Sequence, residues 1–427
     1  MNKDKIKPLF IYGDTSVDQE QFEDNVSLCK KLIANHTHIL IKTDNPLLFN
    51  TALIASYQEG KHLYICPSYY TQNELETIFN QLPIELFLTS DGDAFKSIVL
   101  NPNVKSAPTS SSAVYIFTSG TTGSPKVTQQ QWDRIQHSSL NSKKLAHMTW
   151  LMTYSFHTYA GIQVFFSCYN NGGTLLYYKN NSQTIVEFIS EHKVEVISAT
   201  PTYWKMLINR WSHTTPPIEL EQATIGGEIV NQDVIDLIQQ FFNPKRLTHI
   251  YASTEAGTSI VVSDRLAGFP IEYLTKSKDI QLRVHDNKLE IKSPYAMTSY
   301  LNAPNPQNIE GWIQTGDLVE IHGNRIYFVG REDERINVGG LKVNPIEVEK
   351  ALCQIEGILD CCIYAKPNPI TGNIVAADVI LKKGYQLDTN SIINQLKPLL
   401  ADFKIPRSIK QVHKIEVSPN GKKIRHQ

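Results

Sequence analysis

The sequence predicts an α/β fold in two parts: a large N-terminal domain of parallel βα sheets with a small antiparallel subdomain, followed by a small α+β C-terminal domain. Three observations support this prediction. Short apolar segments alternate with helix-length amphipathic segments over the first half of the chain. Near residue 279 this pattern gives way to a two-fold alternation of apolar and polar residues. A stretch rich in glycine and charge, residues 330–343, then precedes a last segment of roughly a hundred residues, a common domain size.

The alternating segments of the first half are typical of βα units. Residues 19–34 have the spacing of an amphipathic helix. The predicted strands are residues 8–12, 38–41, 63–66, 149–154, 174–178, 194–198, 223–225 and 247–251. Strands separated by helices favour parallel sheets with helices on their faces. Beyond them, residues 280–284 and 325–328 alternate with a period of two, which predicts smaller antiparallel sheets.

We place the domain boundary at the charged stretch that begins at Gly330, so the predicted domains are residues 1–332 and 333–427. The pair Gly339-Gly340 in the boundary stretch is predicted to be flexible, and the elements of the second domain lie beyond it. These predicted elements are a helix over 345–354, a strand pair at 360–365 and 374–381, a helix over 389–400 and a last strand. Such a chain of 427 residues is too long for one ordinary core.

The composition describes a globular chain and excludes several function classes. Hydrophobic residues make up 41% and charged residues 19%, and the net charge is −1. A chain so nearly neutral has no overall field that attracts nucleic acid, so any anion recognition must be local. The six cysteines show no Cys/His spacing of a metal site, which favours a reducing compartment. No apolar run approaches the roughly 20 residues of a membrane helix, so we predict no membrane span and a cytoplasmic location.

The first chemically informative motif is Ser-Gly-Thr-Thr-Gly-Ser-Pro-Lys at residues 119–126, directly after the apolar strand 114–117. Its glycines let backbone N–H groups approach an anion, its hydroxyls add donors and Lys126 adds a cation, which together suit phosphates. It is not a Walker A loop, because that pattern ends in Gly-Lys-Ser/Thr, whereas Pro125 precedes the lysine here. This argues against a P-loop kinase or GTPase. The alternative for the motif alone is a solvated turn.

Further stretches carry side chains that suit a nucleotide site. Residues 226–228, Gly-Gly-Glu, follow a strand where backbone can lie against a flat base. Residues 251–255, Tyr-Ala-Ser-Thr-Glu, offer an aromatic ring, a hydroxyl and a carboxylate suited to Mg²⁺. Asp317 can hold a ribose diol, and residues 330–333 add a cation and a hinge candidate. Taken singly, each stretch is more typical of a turn, a hairpin tip or a solvated tail than of a site.

In this order and spacing, the motifs resemble the adenylate-forming superfamily of acyl-CoA synthetases, luciferases and peptide-synthetase adenylation domains, and among these the acyl and aryl acid ligases. The resemblance covers residues 115–425. It implies a large N-terminal domain, a small mobile C-terminal domain and an active site between them. It also implies ATP and Mg²⁺ as cofactors, a carboxylic acid as substrate, and CoA or the phosphopantetheine of an acyl carrier protein as thiol acceptor.

The resemblance assigns ATP binding to a set of matching residues. These are Thr118, Ser119, Gly120, Thr121, Thr122, Gly123, Lys126, Gly227, Glu228, Tyr251, Asp317 and Arg331. Residues 118–126 would surround the β- and γ-phosphates, and Tyr251 would stack on adenine. Asp317 would bind the ribose hydroxyls, with Arg331 as a second ribose or phosphate contact.

The resemblance also assigns the catalytic and moving parts. Lys422, Thr254 and Glu255 would be catalytic, with Glu255 as the Mg²⁺ ligand. Asp333 would be the hinge. The Gly339-Gly340 pair would face the pantetheine arm.

The acyl pocket would include Phe156, His157, Gly226 and Ala252. Amino-acid-activating relatives carry an aspartate where this chain has His157, and a neutral imidazole is a poor partner for an ammonium. We therefore expect a non-amino acid, aromatic or of medium acyl length. The alternative for His157 is a core histidine whose hydrogen bonds are satisfied.

Three interpretations remain open for the whole chain. The first is an acid–thiol ligase that makes a CoA thioester, and the second loads an acyl carrier protein. The third is a catalytically degenerate nucleotide-binding scaffold. The chain departs from the family pattern at Val127, where glycine is usual, and at Lys342, where arginine is common. The stretch before the phosphate loop is short for the family, which favours a dedicated biosynthetic enzyme.

Overall fold

The structure, a computed structural model, describes residues 7–100, 111–118, 126–137, 139, 142–179, 183–211, 217–276, 279–418 and 422–425. These residues form two compact units. The first unit contains residues up to 227, then 232–266 and 292–313, and the second contains 228–231, 267–291 and 314–427. Residues 267–291 and 314–332 thus belong to the same compact unit as the C-terminal segment. The boundary at 332/333 is placed where a mobile C-terminal segment is predicted to begin, and it stays a prediction.

The helices and strands lie in the order that the alternation predicts. In chain order the helices are α1 (Gln19–Ile33), α2 (Pro46–Gln58), α3 (Gln72–Gln81), α4 (Trp132–His137), α5 (Tyr159–Asn170), α6 (Ile185–Glu191), α7 (Pro201–Arg210), α8 (Gln232–Phe242), α9 (Tyr273–Lys276), α10 (Pro345–Cys353) and α11 (Thr389–Leu396). The first thirteen strands are β1 (Phe10–Tyr12), β2 (Thr15–Val17), β3 (His38–Lys42), β4 (His62–Ile65), β5 (Leu86–Asp91), β6 (Ala94–Val99), β7 (Ala113–Thr118), β8 (Lys126–Gln131), β9 (Thr149–Met152), β10 (Thr174–Tyr177), β11 (Val196–Ala199), β12 (Gln222–Ile225) and β13 (Arg246–Ser253). The others are β14 (Gly257–Val262), β15 (Phe269–Pro270), β16 (Gln281–His285), β17 (Lys288–Lys292), β18 (Ser299–Tyr300), β19 (Ile313–His322), β20 (Arg325–Arg331), β21 (Ile336–Val338), β22 (Leu341–Val343), β23 (Ile358–Asn368), β24 (Gly372–Leu381) and β25 (Ser408–Gln411).

The first unit contains two mainly parallel sheets. One has eight strands in the order β14-β13-β12-β11-β9-β10-β1-β2, and the other has seven in the order β18-β8-β7-β4-β3-β5-β6. In the first sheet β1, β10, β9, β11, β12 and β13 run parallel. In the second sheet β3, β4, β5 and β7 run parallel. Antiparallel strands β8 and β18 extend the second sheet at one edge.

One buried apolar cluster holds the two sheets and their helices together. It includes Phe10 of β1, Phe49 of α2, Ile65 of β4 and Phe165 of α5. Each of these side chains is at most 1% exposed. Capping fixes where the helices begin: Asp18 accepts from the N–H of Gln21, whose side chain accepts from the N–H of Asp18. No helix among the described residues is long and apolar enough to cross a membrane.

The second unit combines a five-stranded sheet with the C-terminal elements. The sheet order is β15-β20-β19-β17-β16, and β20 pairs antiparallel with β15 and β19. The β21–β22 hairpin, a three-stranded sheet of β23, β24 and β25, and α10 and α11 follow. Val348, Leu352, Ile363 and Val379 form the core of this segment, each fully buried. The α/β class, with its large N-terminal part and smaller C-terminal part, is confirmed.

A pair of buried histidines crosses β3 and β4. His38 and His62 lie opposite each other in register, and their rings stack with centroids 4.5 Å apart. The Nδ1 atom of His38 lies 3.1 Å from the hydroxyl of Tyr64, and that of His62 lies 3.1 Å from the hydroxyl of Tyr115. Burial lowers the pKa of both rings, that of His62 to about 4, with Glu85 opposing the shift. Both imidazoles are therefore neutral in the folded protein at neutral pH.

This pair predicts that the first unit loses stability in weak acid. Because the folded-state pKa of His62 lies below its unfolded value, the unfolded chain binds the proton more readily below about pH 6.5. The stability contribution is complete above that pH and falls as the pH drops toward about 4. Between about pH 7.5 and about pH 5, we expect urea denaturation to show a loss of about 1–2 kcal/mol. His62→Gln should reduce this loss, whereas His413→Gln, at an exposed position, should leave it unchanged.

Candidate functional site

The stem of the predicted phosphate loop is part of the seven-stranded sheet. Strands β7 and β8 pair antiparallel, with Thr118 opposite Lys126. The predicted ligands Ser119, Gly120, Thr121, Thr122 and Gly123 lie outside the described residues. Lys126 is half-buried, and its Nζ lies 5.3 Å from the ring centroid of Tyr300. The sheet therefore fixes the end of the loop that carries the lysine.

Thr254 and Glu255 directly follow β13, at the carboxyl end of the eight-stranded sheet. The side-chain amide of Gln130, on β8, donates to the carbonyl of Thr254. The N–H of Met297 donates to the carbonyl of Glu255 at 2.8 Å, and the hydroxyl of Tyr300 donates to its carboxylate oxygen Oε1. These bonds join the Thr-Glu pair to the stem of the phosphate loop. The structure thus brings Lys126 and Glu255 to the same tyrosine.

Gly226 and Gly227 occupy the equivalent position after β12, which runs parallel to β13. A Cβ atom on Gly226 would lie 2.8 Å from Cγ1 of Ile250, so no larger side chain fits. Gly227 has a φ of +83°, which favours glycine, and a Cβ there would lie 3.4 Å from Cγ2 of Thr200. Close packing against Ile250 therefore accounts for Gly226, and the left-handed backbone accounts for Gly227. Tyr251 and Ala252 lie on that strand at a β-bulge.

Phe156 and His157 lie in a tight turn before α5. A Cβ on Gly161 would lie 2.3 Å from the carbonyl oxygen of Ser155, which explains the glycine. Nε2 of His157 donates to the carbonyl of Thr43 at 2.8 Å, so Nδ1 is the acceptor and receives the hydroxyl of Ser155 at 3.3 Å. Burial lowers the pKa of His157 to about 4, so the ring is neutral.

Phe156 packs against Phe49 with ring centroids 5.0 Å apart. These are contacts of packed side chains, in keeping with the alternative of a satisfied core histidine. The acyl-pocket role of Phe156 and His157 stays a prediction.

Glu255 provides a donor suited to a divalent cation. Among the described residues, no group of three or more His, Cys, Asp or Glu side chains is placed to hold a metal ion. Mg²⁺ is commonly held by one or two carboxylates plus substrate phosphates and water. A single half-buried carboxylate near the stem of a phosphate loop fits that mode of binding. The donor set is therefore compatible with Mg²⁺ that arrives with a nucleotide.

In the second unit, Asp317 and Arg331 face each other across β19 and β20. Thr315 supports the turn before Asp317, because its hydroxyl donates to the carbonyl of Leu289 at 2.6 Å and accepts from the N–H of Asp317 at 3.1 Å. Nε of Arg331 lies 3.9 Å from Oδ1 of Asp317 and 3.0 Å from Oδ1 of Asp333. Burial lowers the pKa of Arg331, but the two aspartates outweigh it and raise the pKa overall. The predicted ribose ligands and the hinge residue form one charged cluster.

Gly339 and Gly340 form the turn of the β21–β22 hairpin, between the paired residues Val338 and Leu341. Their φ angles are +57° and +90°. A two-residue hairpin turn with both φ angles positive requires residues such as glycine. The turn geometry alone therefore accounts for this pair, and its contact with a pantetheine arm stays a prediction.

The last described segment distinguishes two adjacent lysines. Lys422 is exposed, whereas Nζ of Lys423 lies 2.8 Å from Oδ1 of Asp360, both side chains being nearly buried. Arg425 forms a second ion pair with Glu349. The N–H of Lys423 also donates to Oε1 of Glu228 at 3.2 Å. Lys422, the predicted catalytic residue, therefore projects its ammonium outward from a segment whose neighbours are fixed.

Several residues of this arrangement carried no local signal in the sequence. Tyr300, Gln130 and Asn302 approach the Thr-Glu pair or the loop stem only through strand pairing. Nothing in the local sequence distinguishes Asp360 and Glu349, and only the fold shows that they pair with Lys423 and Arg425. A motif search cannot find such residues, because their partners lie far away in the chain.

Two family models match the chain over most of its length. The model described as "AMP-binding enzyme" matches residues 10–295, and that described as "AMP-binding enzyme C-terminal domain" matches residues 347–422. These ranges include the motifs at residues 119–126, 226–228 and 251–255 and also Lys422, whereas Asp317 and residues 330–333 lie between them.

Several curated proteins are similar in sequence. One is the 3-[(3aS,4S,7aS)-7a-methyl-1,5-dioxo-octahydro-1H-inden-4-yl]propanoyl:CoA ligase of Rhodococcus jostii (strain RHA1), 23% identical over 73% of this chain. The chain spans 63% of the length of that ligase, which is less than two thirds. Another is the 2-succinylbenzoate–CoA ligase of Lactococcus lactis subsp. lactis (strain IL1403), 24% identical over 92% of this chain and 90% of that protein.

Solved structures share the fold over nearly the whole chain. An ATP-bound RpMatB-BxBclM chimera matches with a TM-score of 0.79 and 16% identity, covering 99% of this chain and 95% of that one. The o-succinylbenzoate CoA synthetase (MenE) of Bacillus subtilis, in complex with the acyl-adenylate intermediate OSB-AMP, matches with a TM-score of 0.74 and 18% identity, covering 98% and 94%. At this identity the likeness supports the fold alone.

The two adjacent lysines are expected to differ in what their substitution costs in free energy of unfolding. Lys423→Met should leave the nearly buried Asp360 carboxylate without its partner, at a cost of about 3 kcal/mol. Lys422→Met, at the exposed neighbour, should change the free energy of unfolding by no more than about 0.5 kcal/mol. Urea denaturation of the two variants measures the difference. Equal losses would contradict the assignment of Lys423 to the buried pair.

Proposed function

The chain belongs to the AMP-binding enzyme family, and we propose that it uses ATP to join a non-amino carboxylic acid to a thiol. In the first step, an oxygen of the acid attacks the α-phosphorus of ATP. The P–O bond to pyrophosphate breaks, and an acyl-adenylate remains. In the second step, a thiolate attacks the acyl carbon, and AMP departs as a thioester forms. The observation that carries the proposal is the half-buried Glu255 carboxylate, bonded beside the phosphate-loop stem at the end of a parallel strand.

In the first step the substrate carboxylate approaches the negatively charged phosphates of ATP, so the repulsion between them must be compensated. Mg²⁺ held by Glu255 and phosphate oxygens would supply a cation at the phosphates when bound. Lys126 and Lys422 add ammonium groups, the first from the loop stem and the second from the exposed tail segment. Preorganised cations stabilise the charge that develops on the leaving pyrophosphate. Alignment of the acid oxygen with the P–O bond supplies much of the remaining acceleration.

The nucleotide's sugar and base are assigned to two further motifs. The Asp317 carboxylate is positioned by Thr315 and accompanied by Arg331, which suits a pair of ribose hydroxyls. Tyr251 lies on β13, parallel to the strand that ends at Gly226. An aromatic ring on the strand next to this glycine backbone suits a flat purine. Both assignments are proposals, and both are consistent with ATP as the nucleotide.

The acid is proposed to be aromatic or of medium acyl length. A buried, neutral His157 is a poor partner for the ammonium of an α-amino acid, which supports a non-amino substrate. The names of the relatives are consistent with this class, since they include ligases for 2-succinylbenzoate and for a propanoyl chain on a fused ring system. Phe156, Ala252 and Gly226 would line the acyl pocket with His157.

CoA is the proposed acceptor, because the relatives are named as CoA ligases. Transfer to the phosphopantetheine of an acyl carrier protein is the alternative, and both thiols have the same reactive arm. Competition between purified CoA and a carrier protein for the acyl-adenylate would separate them. The cytoplasmic location likewise remains a prediction.

Exchange of radiolabelled pyrophosphate into ATP is the experiment that tests the first step. We expect exchange with benzoic, cinnamic or medium-chain fatty acids, and none above background with amino acids. The reason is that the reverse of adenylation incorporates pyrophosphate only when an acid is activated. Absence of exchange with every acid, in protein that still binds ATP, would instead support the degenerate scaffold.

Removal of the Lys422 ammonium should slow the adenylation step while leaving ATP binding nearly unchanged. Lys422→Ala is expected to lower the rate of exchange by about 100-fold or more, since a preorganised charge in a transition state contributes about 3 kcal/mol. ATP affinity, measured by calorimetry, should change little. Lys410→Ala removes a different exposed lysine of the second unit and serves as the matched control. Wild-type exchange rates in Lys422→Ala would refute the catalytic assignment.

A further inference from the structure

Tyr300 contacts two charged groups that the proposed function uses separately. Its hydroxyl donates to Oε1 of Glu255, and its ring centroid lies 5.3 Å from Nζ of Lys126. Tyr300 is half-buried, as are both of its partners. A tyrosine can serve both groups, because the phenol oxygen donates a hydrogen bond while the ring face attracts a cation. The same side chain therefore contacts both the loop lysine and the predicted metal ligand.

The backbone of Tyr300 is anchored to the stem of the phosphate loop. In the pairing of β18 with β8, Tyr300 lies opposite Thr128. The N–H of Leu301 donates to the carbonyl of Val127 at 2.9 Å, and the N–H of Val127 donates to Oδ1 of Asn302 at 2.9 Å. These bonds begin one residue after Lys126. Movement of Tyr300 relative to the lysine would break them.

The same segment is also tied to the Glu255 loop. The N–H of Met297, three residues before Tyr300, donates to the carbonyl of Glu255 at 2.8 Å. Main chain and side chain of Glu255 are thus both bonded to residues 297–300. A carboxylate whose one oxygen accepts a fixed hydrogen bond has a restricted rotation. Its second oxygen then points in one direction, as a ligand for a cation must.

We propose that Tyr300 is a positioning residue that orients the Glu255 carboxylate to receive the divalent cation of the nucleotide and sets its spacing from Lys126. The inference rests on the proposed function, because it takes Glu255 as the metal ligand. Loss of a partner that orients a ligating side chain typically costs about 10- to 100-fold in metal affinity. The hydroxyl acts on the cation through Glu255, and the ring acts on the phosphates through Lys126.

Two substitutions separate the hydroxyl from the ring. Tyr300→Phe keeps the ring beside Lys126 and removes only the hydrogen bond to Glu255. Its affinity for Mn²⁺ in the presence of ATP, measured by electron paramagnetic resonance, should fall about tenfold or more. Its affinity for metal-free ATP, measured by calorimetry in excess chelator, should stay within about twofold of wild type. Tyr300→Leu removes the ring as well, and should weaken metal-free ATP binding about threefold further.

Tyr295→Phe is the matched control, because it removes a phenol hydroxyl from the same segment, where the ring stacks on His137. It should leave both affinities unchanged. A merely structural role for Tyr300 would lower Mn²⁺ and metal-free ATP binding together in Tyr300→Phe, and that result would overturn the proposal. So would Mn²⁺ affinity equal to wild type.

The binding measurements do not depend on turnover, so this proposal and the proposed function can fail separately. If wild type binds Mn²⁺ with ATP but exchanges no pyrophosphate with any acid, the proposed function falls. A selective loss of Mn²⁺ affinity in Tyr300→Phe would still support the role of Tyr300. If wild type exchanges pyrophosphate and the variant keeps its Mn²⁺ affinity, the role of Tyr300 falls and the function stands.

Discussion

Burial of both faces of the parallel sheets confines the polar chemistry of the first unit to the ends of strands. Residues of β4 and β11 are buried along their whole length, and a charge there would cost several kcal/mol. Polar side chains and glycine backbone lie instead just past the carboxyl ends. Thr200, Gly226 and Thr254 follow three adjacent parallel strands there, and Thr254 is half-buried whereas Thr200 and Gly226 are buried. The candidate site therefore depends on parallel pairing more than on any single loop.

In the second unit, charges are placed by ion pairs and by the two-residue period of extended chain. Lys423 and Arg425 bind Asp360 and Glu349 at nearly buried positions. Alternate residues of an extended segment point to the same side, so burial of these two sends Lys422 to the other side. The bond from the N–H of Ile424 to the carbonyl of Glu416 keeps the segment extended. The buried pairs thus determine the exposure of the lysine that neither pair contains.

Local patterns predicted most of the parallel strands because their signal is contained within a few residues. The strand predicted at residues 38–41 is β3, and that at 63–66 overlaps β4. The two-residue strand β18 has no periodicity to detect, and its pairing partner lies about 170 residues away. The register of Asp317 against Arg331 depends on a bulge between Leu318 and Val319, which no local pattern shows. Motifs identified the residue types of the site, whereas their mutual geometry required the fold.

Because β18 is short, side-chain hydrogen bonds help to connect it to the phosphate-loop stem and to the Thr254-Glu255 loop. A two-residue edge strand contributes few backbone hydrogen bonds, too few to hold a loop stem and a neighbouring sheet in fixed relation. Asn302 compensates on one side by accepting from the backbone of Val127, and Gln130 does so on the other by donating to Thr254. Tyr300 completes the connection through the Glu255 carboxylate. Because this last bond ends on a charged group that a cation would also bind, it links the packing of the two sheets to the chemistry of the site.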